Sequence, residues 1–98
     1  SRRGDSFSGL MRARFALDDG RPAAAHEELK GLVEQAPGNK RILALYADVL
    51  ERERDWPALC ALAPRLRRAL GDPYAARRER RAWLARVQRR RQPRPRTA

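Results

Sequence analysis

Apolar residues recur along this chain at the three-and-four spacing of helices, and nowhere do they alternate as strand residues would. Phe7, Leu10, Met11 and Leu17, with Arg14 between them, predict a first helix, capped by Asp5 or Ser6 and ended by Asp18-Asp19-Gly20. Pro22 suits the first turn of a second helix, whose apolar stripe is Ala25, Leu29, Leu32 and Val33. The breaker cluster Pro37-Gly38-Asn39 separates it from a third helix over 40–54, which carries Ile42, Leu43, Tyr46, Ala47, Val49 and Leu50. A fourth helix begins near Pro57 and ends before Gly71, with Leu59, Leu62, Leu66 and Leu70. Pro64 lies inside it and predicts a kink or break near Leu62–Ala63. Asp72-Pro73 then opens a fifth helix that runs to about Arg91. The fold class that follows is all-α, about five helices.

The second pattern is an internal echo. Gly20-Arg21-Pro22 with Ala25 and Leu29 maps onto Arg54-Asp55-Trp56 with Leu59 and Ala63 by a shift of 34 residues. That period belongs to helix-turn-helix units that stack on copies of themselves. With Pro37 as the closing proline, Ala13, Gly20 and Ala25 fall on small and turn positions, and Leu29 on a large apolar one. On these residues the chain resembles the tetratricopeptide repeat family. The resemblance implies a stacked helical superhelix of two units over 6–73, a capping helix over 74–91, and a role in holding other proteins. Residues 1–5 would be a frayed, disordered N-terminus and 92–98 a disordered basic tail. The second unit departs from the family pattern: Arg54 stands where a turn glycine is common, Leu59 where alanine is, and Gly71 where proline is.

A narrower segment is similar to a bacterial family. Ala47-Asp48-Val49-Leu50, then Asp55-Trp56-Pro57-Ala58-Leu59, then Leu62-Ala63-Pro64-Arg65-Leu66-Arg67-Arg68 resembles the HemY-type proteins. These join a membrane-anchored N-terminal part to tetratricopeptide repeats. The resemblance implies an accessory, non-catalytic C-terminal piece of a larger protein, cytoplasmic or membrane-associated. The arginine tail after Trp83 departs from that family.

Charge changes the picture at one end. The chain has 98 residues and a formal net charge of +11. Residues 1–76 hold 13 basic and 11 acidic side chains, whereas 77–98 hold ten arginines and only Glu79 as an acid. Abundant arginine and alanine are also what a GC-rich coding sequence produces, which weakens any inference from charge to nucleic acid. On the fifth helix, Ala76, Trp83 and Val87 are expected to face the preceding unit, leaving the arginines on a solvated capping face.

Candidate chemistry is sparse. His26 and Cys60, the only histidine and cysteine, have no ligand spacing, so no metal or cofactor is expected. Cys60 reads as a small buried residue and His26 as a partly exposed one. The carboxylate pairs Asp18-Asp19 and Glu27-Glu28 point apart on a helix, and there is no nucleophile context or phosphate loop. The expected function is therefore non-catalytic. The register of the repeat puts Phe7, Leu10, Arg14, Leu17, Arg41, Asp48, Glu51, Arg78 and Arg86 on one concave, protein-binding surface. Phe7, Leu10 and Leu17 admit three readings: ordinary core, an exposed edge that supports a homodimer, or a peptide groove. The alternative function is attachment to a polyanion, nucleic acid or anionic membrane, through Arg77, Arg81, Arg89, Arg90, Arg91, Arg94 and Arg96.

Overall fold

A computed structural model describes residues 2–91, with side chains over 7–88. Five helices follow one another: α1 Arg2–Asp18, α2 Pro22–Gln35, α3 Lys40–Glu53, α4 Trp56–Leu70 and α5 Asp72–Arg91. There is no strand among the described residues. Local chemistry starts the middle helices. The Asn39 side chain accepts from the Ile42 N–H at 3.1 Å and opens α3, and Asp55 accepts from the Ala58 N–H at 3.2 Å and opens α4. No side chain caps α2, which starts instead on Pro22.

The sequence echo is also a backbone echo. The α1–α2 turn closes with Gly20 N–H to Leu17 O (3.0 Å), Arg21 to Ala16 (2.8 Å) and Ala25 to Arg21 (3.3 Å). The α3–α4 turn repeats each bond 34 positions later, from Arg54 to Glu51, Asp55 to Leu50 and Leu59 to Asp55. Gly20 and Arg54 are both left-handed, at φ 76° and 58°. The missing turn glycine of the second unit thus changes the residue but not the geometry.

Consecutive helices pack on each other, and α1 also reaches α3. The result is an elongated stack of helical hairpins, 60 × 30 × 17 Å. Its core runs from Ala13 and Leu17 through Leu29, Ile42, Leu43 and Leu50 to Leu59, Leu66 and Ala82. The middle helix α3 has neighbours on both sides, so it buries two stripes, Ile42/Leu45/Val49 and Leu43/Ala47/Leu50. At the close crossing of α1, an added Cβ at Gly9 would meet the Leu32 side chain at 3.0 Å.

The first helix is described from Arg2. Three expectations need correction. Pro64 does not break α4, which is α-helical from Trp56 to Leu70. Its missing N–H would have met the carbonyl of Cys60, and both residues are exposed, so water can take that acceptor. For the same reason Cys60 is not a buried apolar residue. The last correction concerns α5. Its buried residues are Ala75, Arg78 and Ala82, while Ala76 and Trp83 are exposed, Trp83 by 62%. The connection before α5 is the single residue Gly71, against four residues (36–39) before α3. The packing register between α3 and α5 is 33 and not 34: Ile42, Leu45 and Val49 correspond to Ala75, Arg78 and Ala82. One residue of slip turns a helix by about 100°, which carries Trp83 out of the interface.

Candidate protein-binding groove

Helices α1 and α3 run side by side and leave a shallow channel between them. Leu10, Met11, Ala44 and Leu45 form its apolar floor, and Arg14, Arg41 and Asp48 its polar edge, around a space of about 310 Å³. A second hollow of about 410 Å³ shares Arg14 and Asp48 and adds Leu17, Asp18, Glu51 and Arg52. The two form one continuous groove along the same side of the stack.

Arg78 of α5 bonds two of the lining residues, Asp48 and Glu51. Its side chain is buried and donates to Asp48 at 2.5 Å, to Glu51, and through Nη2 and Nε to the Tyr74 hydroxyl at 2.6 and 3.1 Å. The guanidinium also lies 5.1 Å from the centroid of the Tyr74 ring. Burial by itself opposes the charge, but the hydrogen bonds that Arg78 donates to Glu51, Asp48 and Tyr74 outweigh it and hold the pKa above the ordinary arginine value. Arg81 adds a longer contact to Glu51 at 3.4 Å. Arg78 sits where the repeat has Leu45 one unit earlier, so a polar clamp replaces an apolar contact there.

Of the residues expected on one concave surface, Leu10, Arg14, Leu17, Arg41, Asp48 and Glu51 line the two hollows, whereas Phe7, Arg78 and Arg86 do not. Leu10 and Arg14 line the groove, and Leu17 is buried at 6% exposure, so its main role is core. Arg14 reaches Asp18 at 3.7 Å in an exposed pair, and Arg41 has no ion pair among the described residues. Asp48, Glu51 and Arg78 satisfy one another, so the Arg78 charge is already paired within the chain. Phe7 lies one turn beyond the groove and is 59% exposed, and Arg86 is exposed and lines neither hollow. Met11, Ala44, Leu45 and Arg52 are lining residues the sequence reading did not include. Met11 could have been found, because it lies one helical turn after Phe7.

Of the residues predicted to meet a polyanion, Arg77 lies 6.0 Å from the Tyr74 ring centroid and Arg81 is exposed. Arg89, Arg90 and Arg91 have a helical backbone in α5, and Arg94 and Arg96 lie outside the described residues. On the opposite side, His26 Nδ1 is 2.7 Å from Glu53 and its ring meets Tyr46 edge-on at 5.4 Å. Burial, followed by the nearby carboxylates Glu53 and Asp55, raises the Tyr46 pKa against the opposing influence of Arg65. No cluster of three metal-ligating side chains occurs among the described residues, and no helix there is long and apolar enough to cross a membrane. No protein-family model, curated protein or solved structure matches the chain.

Proposed function

We propose that this chain is a tetratricopeptide-type scaffold that holds a segment of another protein in the groove between α1 and α3. The observation that carries the reading is the lining: an apolar floor of Leu10, Met11, Ala44 and Leu45 beside two arginines whose charge is available. Arg41 has no ion pair among the described residues, and the exposed Arg14–Asp18 pair is too weak to compete with a well-placed ligand. A guanidinium takes a carboxylate through two parallel hydrogen bonds, so a segment with an acidic residue beside an apolar one fits best. The 34-residue repetition of turn bonds supports the repeat assignment, because stacked units of this kind present such surfaces.

The test is a random peptide library selected on the wild-type chain. Selected peptides should combine apolar and acidic residues. They should lose about tenfold or more in affinity for the Arg14→Ala, Arg41→Ala double variant, with helicity unchanged by circular dichroism. Unchanged affinity in a folded double variant would place binding elsewhere.

A further inference from the structure

The two ends of the stack each leave open a stripe that the middle helix covers. On α3, one buried stripe accompanies its packing on each neighbouring hairpin helix, α2 and α4. On α5, only Ala75/Arg78/Ala82 is buried, in keeping with a packed neighbour, α4, on one side. By the 33-residue register, the counterpart of Leu43, Ala47 and Leu50 is Ala76, Arg80 and Trp83, continued one turn later by the half-buried Val87. These residues follow the i, i+4, i+7, i+11 spacing of a helix-packing seam. Trp83 and the adjacent Leu84 are 62% and 42% exposed. The face is therefore shaped as a third unit awaiting its second helix, not as a wet cap.

Its border is cationic. Arg77 and Arg86 flank the seam and Arg80 lies within it; none of the three makes an ion pair among the described residues, whereas Glu79 is taken by Arg67 at 2.6 Å. We propose that this face binds an amphipathic helix of a partner protein with acidic flanks, laid across α5 as α4 lies across α3. The flanks must be acidic because a neutral or basic helix would desolvate the arginines without replacing their hydration. A second copy of this chain does not supply such a helix. Only α2 carries more acids than bases, and its apolar stripe Ala25, Leu29, Leu32 and Val33 is already buried. The surface is separate from the α1–α3 groove, so either assignment stands or falls without the other.

The experiment uses a fluorescent designed peptide of 15 residues, the length of α4, with leucines on one helical stripe and glutamates beside it. A control peptide has the same composition with the leucines dispersed. The amphipathic peptide should bind and the control should not. Trp83→Ala and Arg80→Glu should each weaken binding by about tenfold, and the Arg14→Ala, Arg41→Ala variant should bind as wild type. Both changed α5 residues are exposed, so circular dichroism should report an intact fold. Equal binding of the control, or no effect of Trp83→Ala, overturns the proposal. So does retention on heparin or duplex DNA with no binding of the peptide, which would make the arginines a polyanion surface.

Discussion

At the scale of single residues, the most consequential side chain is Arg78. It occupies a position that is leucine one unit earlier, and it ties α5 to α3 through Asp48 and Glu51. Arg78→Ala removes the shared cation and leaves two neighbouring carboxylates and the Tyr74 hydroxyl without their partner. Because Asp48 remains 41% exposed, water recovers part of the loss, and the expected destabilisation is about 2 kcal/mol by urea unfolding. Arg78→Lys keeps the charge but not the planar fork, so it should restore only part of it. Tyr46 makes a second prediction, in pH. Its folded pKa is raised above the ordinary 10.0, so the folded state holds the phenolic proton more tightly than the unfolded chain does. That contribution is complete below about pH 10 and is lost as pH rises through the raised value. Urea unfolding at about pH 8 and pH 11 should show a fall in stability that Tyr46→Phe reduces.

Elements are set mostly by short-range chemistry, and the turns show it. Asn39 and Asp55 cap the helices they precede, and both hairpin turns use the same set of backbone bonds. Arg54 takes up the left-handed conformation that Gly20 provides without steric cost in the first unit. Arg54→Gly should therefore stabilise the chain by about 0.5–1 kcal/mol, after allowing for the looser unfolded chain, and would show as a higher denaturation midpoint. Helix existence, order and approximate ends were legible from the apolar spacing and the breaker residues. One element-level expectation failed for an identifiable reason. Pro64 has helical neighbours on both sides and faces water, so its lost bond is tolerated within an unbroken α4.

Across the whole molecule, each helix packs on its neighbours in order, α1 also reaches α3, and Arg78 ties α5 to α3. Stability in such a stack is carried by nearest-neighbour interfaces, so it is greatest where a helix has partners on both sides. Native-state hydrogen exchange should find the amides of α3 slowest, with α1 and α5 opening first and below the global unfolding free energy. Uniform protection across all five helices would contradict that picture. The same arrangement leaves Phe7, Met11 and Phe15 exposed on α1 and Trp83 and Leu84 exposed on α5. Exposed apolar side chains therefore lie on both terminal helices.

The sequence by itself determined the all-α class, the five helices and the 34-residue repeat of hairpin turns. These follow from local spacing, capping and turn chemistry, which are properties of neighbouring residues. The tertiary structure decided which face of α5 is buried, that Arg78 is held by Asp48 and Glu51, and that Trp83 stands in solvent. Those outcomes hinge on a one-residue difference in the packing register of α5 relative to α3. Helical periodicity specifies the angle between residues on one helix but not the phase of that helix against its neighbour. That phase is set by the length of the connection and by which side chains interlock across it.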